Sequence, residues 1–268
     1  MMQTLYPADP DSRVTAGPRT ARSDESPAPS CGRGASLSVP LMPAIHAPLV
    51  IAVRTSRGQM TNYNYVVVDA PGGHCVLVDP AWEIDRYRQA MADARATLAG
   101  VLLTHAHADH VDLAGTLATE YGCPVWMSAE EIAASGFEAP GLVAIDETPW
   151  HAGQLRIEPF LTPGHTPGSV CYRIGENLFT GDVLFAEGCG LCADADSAYR
   201  MHESLERLKR TLSPATRIFP GHSFGSPPGR RFEEVLQENI YLHFRDRDRF
   251  AAFRLRGGQD RSRQFDFR

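Results

Sequence analysis

The chain has 268 residues, of which 43% are hydrophobic and 22% are charged, and this composition is typical of a globular protein with one large domain or two small ones. The formal net charge is −6. No uninterrupted apolar stretch reaches the ~20 residues needed to cross a bilayer, and the N-terminal residues lack the apolar segment of a secretory signal. We therefore expect a cytoplasmic protein that binds neither membrane nor nucleic acid.

Charged residues are unevenly distributed along the chain. Residues 201–268 hold 14 Lys and Arg against 9 Asp and Glu, whereas residues 1–200 hold 12 against 23. An Arg-rich end of this kind can meet an acidic partner or phosphate, or it can be a solvated surface.

The six cysteines are too scattered for a disulfide framework. Cys189 and Cys192 form one C-x-x-C pair, for which we expect packing of a Gly-rich loop rather than redox or metal chemistry.

In chain order, residues 1–40 are rich in Pro, Ser, Arg and Gly without periodicity, which predicts a disordered extension. A hydrolase domain is expected over 41–225, and a C-terminal helix with an Arg-rich tail packing on it over 226–268. Strands are predicted at 49–54, 63–69, 74–79, 101–103, 124–127, 155–161, 169–174, 177–180 and 216–219. Helices are predicted at 83–98, 111–121, 197–212 and 232–244. This mixture without internal repeats favours an α/β sandwich.

The segment from Thr104 to His110 carries the strongest chemical signal. It reads Thr-His-Ala-His-Ala-Asp-His and follows a short apolar strand. Neutral imidazole and carboxylate are ligands that a borderline metal such as Zn²⁺ prefers. Alternate residues of an extended segment share a face, so His105, His107 and Asp109 are predicted to point one way. The turn into the next helix can then bring His110 to a second metal.

Four residues cannot complete two metal sites, so further ligands are expected in loops that follow later strands. His165 lies in a loop built from Gly and Pro, Asp182 ends a Gly-Asp pair after a strand, and His222 ends Pro-Gly-His after another. Each of these alone is an ordinary turn. Their joint occurrence indicates the missing ligands.

These motifs, H-x-H-x-D-H with a later His, a Gly-Asp and a final His, resemble the metallo-β-lactamase superfamily over roughly residues 49–225. The resemblance implies an αββα sandwich with two divalent metal ions, Zn²⁺ first and Fe or Mn²⁺ as alternatives, at the edge where the sheets meet. The ligands it implies for one metal are His105, His107 and His165. Those it implies for the other are Asp109, His110 and His222, with Asp182 bridging. Class B β-lactamases fit less well, since they typically have Cys at that bridging position.

Within the superfamily, residues 62–65, 78–80 and 181–190 resemble the glyoxalase II branch, whose members cleave thioesters. Residues 187–192, 220–229, 237–241 and 253–256 are similar to glyoxalase II-like hydrolases encoded with trans-acyltransferase polyketide synthases. That resemblance implies removal of acyl groups from the phosphopantetheine of acyl carrier proteins. With 268 residues in the chain, 46 follow His222, which is fewer than the glutathione-binding domain of glyoxalase II requires.

The expected chemistry follows from these residues. Two divalent cations lower the pKa of a bridging water, so that hydroxide can attack a thioester carbonyl at neutral pH. Asp109 is the candidate catalytic residue, since it can orient the water as well as bind metal. Asp79 and Thr104 are candidates for hydrogen bonds that fix the tautomers of the ligating imidazoles, the alternative being a strand-end cap or turn.

Three other functions stay open at this stage. A persulfide dioxygenase with one iron resembles the chain through Gly-Cys-Gly, although such enzymes usually have Arg at the position of Leu191. A hydroxyacylglutathione hydrolase, or another hydrolase of small thioesters, shares the same metal ligands. A non-enzymatic binding module is disfavoured, because all seven ligand positions are filled.

Overall fold

The computed structural model describes residues 4–6, 47–70 and 72–257. Its strands are β1 Thr4–Tyr6, β2 Leu49–Arg57, β3 Met60–Val68, β4 His74–Val78, β5 Thr97–Leu102, β6 Val125–Ser128, β7 Leu142–Ile145, β8 Trp150–Ala152, β9 Leu155–Leu161, β10 Val170–Ile174, β11 Asn177–Gly181, β12 Arg217–Pro220 and β13 Arg230–Arg231. Its helices are α1 Ile84–Ala94, α2 Ala108–Val111, α3 Ala114–Tyr121, α4 Ala129–Ser135, α5 Ala195–Thr211, α6 Phe232–Glu238 and α7 Arg247–Arg254, with a 3-10 helix at Ile240–His243.

The strands form two sheets. The first has seven strands in the order β1-β2-β3-β4-β5-β6-β7, and the second has six in the order β13-β12-β11-β10-β9-β8. Antiparallel pairing joins β1 through β4 in the first sheet and builds most of the second, whereas β4, β5, β6 and β7 run parallel, as do β11 and β12. Loops that leave the carboxyl ends of such parallel strands gather at one edge of a sheet.

Strand β3 shows why the molecule has four layers. Its residues from Tyr65 to Val68 are all buried, and successive side chains point to opposite faces. Val66 and Val68 pack with helices α1 and α3 in one core cluster. Tyr65 and Val67 pack against the second sheet in another. A third cluster lies between the second sheet and helices α5, α6 and α7, so the predicted αββα sandwich is confirmed.

Several predicted boundaries differ from the structure. The helix predicted over 83–98 ends at Ala94, because Arg95 adopts the left-handed conformation that terminates it, and β5 already begins at Thr97. Elements β1, β7, β8, β13, α2, α4 and α7 were not predicted. The helix predicted over 232–244 is broken at Asn239, whose side-chain oxygen accepts a hydrogen bond from Tyr241 N and starts a 3-10 turn instead.

The N-terminal extension and the tail are described only in part. The prediction of disorder over 1–40 falls mostly outside the described residues. Thr4–Tyr6 is the exception, since it pairs antiparallel with β2. The Arg-rich tail is described as far as residue 257. Among the described residues, no helix is both long and apolar enough to cross a bilayer.

Candidate metal centre

Two sets of loops meet at the edge of the sandwich. The segment after β5, which runs from a loop into α2, carries the four residues of the His-rich motif, and the loops after β9, β11 and β12 carry His165, Asp182 and His222. Backbone hydrogen bonds join the two sheets here, from Val170 N to Thr104 O at 3.0 Å and from Tyr63 N to the carbonyl of Gly221 at 2.8 Å. The sequence therefore folds so that all seven predicted ligands come together.

Three imidazoles form the first cluster. Nδ1 of His107 lies 3.0 Å from Nε2 of His105 and 3.0 Å from Nε2 of His165. Ligand atoms around a tetrahedral ion with bonds of about 2.0–2.1 Å lie about 3.3–3.4 Å apart. The two separations are about 0.3–0.4 Å shorter than this spacing, and the three residues converge so that their ligand atoms lie within 4.8 Å of one another.

A carboxylate and two imidazoles form the second cluster. Oδ2 of Asp109 lies 3.5 Å from Nε2 of His110 and 3.4 Å from Nε2 of His222. Alternation in an extended segment predicted that Asp109 shares a face with His105 and His107, but the structure places it elsewhere. The chain stops being extended at His107, and α2 begins at Ala108, so the helical turn carries Asp109 to the second cluster.

Asp182 lies between the two clusters. Its Oδ1 is 3.4 Å from Nε2 of His110 and 3.5 Å from Nε2 of His222, and its Oδ2 is 3.5 Å from Nε2 of His165. One oxygen therefore faces each cluster. The residue before it, Gly181, has a positive φ of 47°, and a Cβ there would stand 2.2 Å from Thr104 Oγ1. Glycine is required for this close approach.

Donor atoms in this centre suit metal ions. Nε2 of His110 and Oδ1 of Asp182 are buried and have no hydrogen-bond partner among the described residues, an arrangement that costs free energy unless a ligand satisfies them. Imidazole nitrogen with carboxylate oxygen is a donor set for Zn²⁺, Fe or Mn²⁺. The residues present therefore fit divalent cations.

Each buried imidazole is held from behind through Nδ1. That atom lies 3.0 Å from Thr104 Oγ1 in His105 and 2.9 Å from Asp79 Oδ2 in His110. In His165 it lies 2.9 Å from Leu191 O, and in His222 it lies 3.1 Å from Thr61 O. These contacts direct the Nε2 atoms toward the interior of the two clusters and fix the tautomers.

Asp79 and Thr104 themselves form a buried network. Oδ1 of Asp79 accepts from the backbone N of Thr104 at 2.7 Å, and Oδ2 accepts from its hydroxyl at 2.6 Å. Asp79, His105 and His110 also make a third group with metal-binding potential. Because Nδ1 of each imidazole is engaged in this network, the group supports the ligands rather than forming a further site.

Asn62 is a site residue that the sequence did not single out for this role. It is fully buried, and its Nδ2 donates to the backbone O of Asp109 at 2.7 Å and to Oδ2 at 3.1 Å. Two asparagines, Asn62 and Asn64, lie buried on one face of a strand that is otherwise apolar. That pattern was the available signal, because a buried amide requires polar partners.

Electrostatics differ between the clusters. Burial lowers the pKa of His105 and of His165, and neighbouring imidazoles lower both further, so these rings are neutral, the form in which imidazole can bind a metal ion. Burial opposes ionisation of Asp109, yet its hydrogen bond with His222 and the charge of His110 lower its pKa to about 2. Asp182 is buried too, and His222 and His110 hold its pKa well below the ordinary value. Both carboxylates that face the second cluster are therefore ionised.

The same carboxylates act on the two imidazoles of the second cluster. Burial alone would lower the pKa of His222, but Asp182 and Asp109 raise it to about 10. Asp182 and Asp79 likewise raise the pKa of His110 against burial. In the absence of metal, protons on these rings balance the carboxylates.

Comparison with known proteins agrees with this geometry. The family model of the metallo-beta-lactamase superfamily matches residues 58–222. Two relatives are named probable polyketide biosynthesis zinc-dependent hydrolases. BaeB of Bacillus velezensis is 39% identical over 80% of this chain and 96% of that protein, and PksB of Bacillus subtilis is 38% identical over 77% and 93%.

Two further proteins widen the comparison. A hydroxyacylglutathione hydrolase of Pelagibacter ubique is 31% identical over 61% of this chain and 67% of that protein. The crystal structure of ETHE1 from Myxococcus xanthus is 28% identical, has a TM-score of 0.68, and covers 81% of this chain and 95% of that one. The glyoxalase II-like resemblance of the sequence is thereby confirmed. This chain is a metal-dependent hydrolase that belongs to the metallo-β-lactamase superfamily.

Proposed function

We propose that this chain uses two divalent cations, zinc being the first expectation, to hydrolyse acyl thioesters on the phosphopantetheine of an acyl carrier protein in polyketide biosynthesis. The observation that carries the two-cation part is Asp182, which directs one carboxylate oxygen to each cluster. The polyketide part is supported by the names of two relatives that this chain matches over nearly their whole length.

The chain's own residues have separate roles in this reaction. Divalent cations held by the seven ligands would lower the pKa of water and polarise the thioester carbonyl. All the contacts described for the carboxylate of Asp109 are made by Oδ2, and we assign Oδ1 to orient the attacking water. A thiolate is a good leaving group, so the reaction requires no strong general acid.

The complete second cluster favours this proposal over an oxygenase with one iron. Asp109, His110 and His222 converge within 4.8 Å, and Asp182 faces them as well as His165. These residues offer donors to a second cation, which the two-cation proposal uses and a one-iron mechanism does not. Metal analysis and oxygen consumption with glutathione persulfide would separate the two functions.

Cytoplasmic location stays a prediction. The five described cysteines, which are Cys75, Cys123, Cys171, Cys189 and Cys192, are buried and free. Unpaired thiols are typical of proteins from a reducing compartment, which supports that prediction.

The decisive experiment offers the purified protein an acyl carrier protein loaded with an acyl-phosphopantetheine group, with release of the acid followed by mass spectrometry. Parallel reactions contain S-lactoylglutathione and an acyl-N-acetylcysteamine. We expect faster hydrolysis of the carrier-bound thioester, loss of activity after chelation, and recovery with Zn²⁺. Preference for the glutathione thioester would move the assignment to a hydroxyacylglutathione hydrolase. Activity that survives exhaustive chelation would overturn the metal-dependent proposal.

A further inference from the structure

Glu131 lies outside the seven ligands, yet it contacts both loops that carry the three-imidazole cluster. It belongs to α4, which packs beside the sheet edge, and its side chain is buried with 2% exposure. A buried carboxylate is costly unless several donors satisfy it. Its surroundings supply three such donors, and all of them come from ligand loops.

One carboxylate oxygen reaches the first ligand loop. Oε1 of Glu131 accepts from the backbone N of Ala106 at 2.9 Å. Ala106 stands between His105 and His107 in the chain, so a bond to its backbone fixes the position of both imidazoles at once.

The other oxygen reaches the loop of the third ligand. Oε2 accepts from Thr166 Oγ1 at 2.6 Å and from the backbone N of Gly168 at 3.0 Å. Thr166 directly follows His165. The loop packs against the start of α4 so closely that a Cβ on Gly168 would stand 2.0 Å from the backbone N of Glu131.

A second contact reinforces the same junction. Ser128 Oγ, at the N-cap of α4, accepts from the backbone N of Glu131 at 3.0 Å and donates to Gly168 O at 2.5 Å. The start of α4 therefore holds the loop of His165 from both its amide and its carbonyl side.

We propose that Glu131 is a positioning residue that sets the three-imidazole cluster, by clamping the loop of His105 and His107 to the loop of His165. It makes no contact with the second cluster among the described residues, so its removal weakens cation binding at one cluster and spares the other. Asn62 is the counterpart of Glu131 on the second cluster, through its bonds to Asp109. This inference rests on the proposed two-cation site.

The test is a Co²⁺ titration of the metal-free full-length protein, followed by d–d absorption and by the number of ions bound per chain. Glu131→Gln preserves the size of the side chain but places an amide hydrogen against at least one backbone donor. Its expected effect is a weakening of one binding step by about 10–100-fold, as for other residues that hold metal ligands, with the other step unchanged. Asn62→Ala should weaken the other step.

Controls make the readout selective. Glu130→Gln, an exposed neighbour in the same helix, should change neither step. Thr166→Val removes one of the three donors and leaves the two backbone donors of Ala106 and Gly168 in place. It should therefore weaken the same step as Glu131→Gln by less. Should Glu131→Gln fail to fold, Thr166→Val takes its place in the test.

Two results would overturn the inference: both steps unchanged in Glu131→Gln, or both weakened equally, as a purely structural role requires. A wild-type protein that binds one ion would refute the two-cation proposal instead. In that case the single step must still weaken in Glu131→Gln for the inference to stand.

Discussion

Asp79 Oδ2 lies 2.9 Å from Nδ1 of His110. Because the two side chains are buried, this contact decides which ring nitrogen of His110 faces the second cluster. Asp79 also has a φ of 50°, a left-handed conformation that Asp and Asn tolerate better than most residues.

Asp79→Asn therefore tests the orientation of His110 without changing the backbone preference. The amide must present a donor either to Thr104 or to His110, both of which already donate to Asp79. We expect metal affinity to fall by about 10–100-fold, measured by competition with a chelating dye. Asp85→Asn, on an exposed part of α1, should bind metal as the wild type does. Equal affinities for the two variants would contradict the orienting role.

Asp182→Ala removes the residue that faces both clusters. We expect metal content and thioesterase activity to fall together by about 100-fold or more, since the loss of a residue that only supports a ligand already costs about 10–100-fold. The measurement is mass-spectrometric metal analysis of dialysed protein beside steady-state kinetics. Asp196→Ala, in the exposed first turn of α5, serves as the control. Full activity with one bound ion would count against a bridging role.

Cys189 and Cys192 pack in the core cluster beneath α5, and burial raises the pKa of Cys192 from 9.0 to about 12. The native protein should therefore react slowly with thiol reagents at pH 8. A raised pKa means that the contribution of the protonated thiol to the free energy of unfolding is fully present below pH 9 and is lost as the pH rises toward 12. Thiol labelling and denaturation across that range measure both effects.

Cys189→Ser tests whether that pair has a chemical role. We expect metal content and activity to stay close to those of the wild type, because packing is the role that the structure gives this side chain. A loss of bound metal in the variant would instead favour a ligand role for Cys189.

Asn239 connects the C-terminal elements to the loop that follows Asp182. Its Nδ2 donates to Phe185 O at 3.0 Å and to Gly188 O at 2.9 Å. Asn239→Ala should lower the free energy of unfolding by about 1–3 kcal/mol and should also reduce activity, since the same loop continues to the Leu191 carbonyl that holds His165. Chemical denaturation and kinetics measure the two effects. Gln237→Ala, exposed in α6, should change neither.

Apolar periodicity predicted an α/β sandwich, and the His/Asp spacing predicted the seven residues that meet at its edge, because both are local properties of the sequence. The order of its four layers was implied by the resemblance to the metallo-β-lactamase superfamily. The sequence did not predict α4, whose seven residues are too few to show a helical period. The contact between Glu131 and two distant loops was equally invisible, since it depends on how the sheets approach each other. Alternation wrongly predicted that Asp109 shares a face with His105 and His107. The helix that redirects Asp109 begins at Ala108, and no side-chain cap marks that start in the sequence.

The origin of the ligands on both sheets has a mechanical consequence. Cations bound at this edge would connect residues 105–110, which follow one sheet, to His165, Asp182 and His222, which follow strands of the other. They would thereby cross-link positions more than a hundred residues apart in the chain. Pulling the sheets apart would then require breaking metal–ligand bonds before the core opens. The loaded protein should accordingly resist proteolysis and forced unfolding through a slower opening rate, in the way that a disulfide acts in a protein that has one.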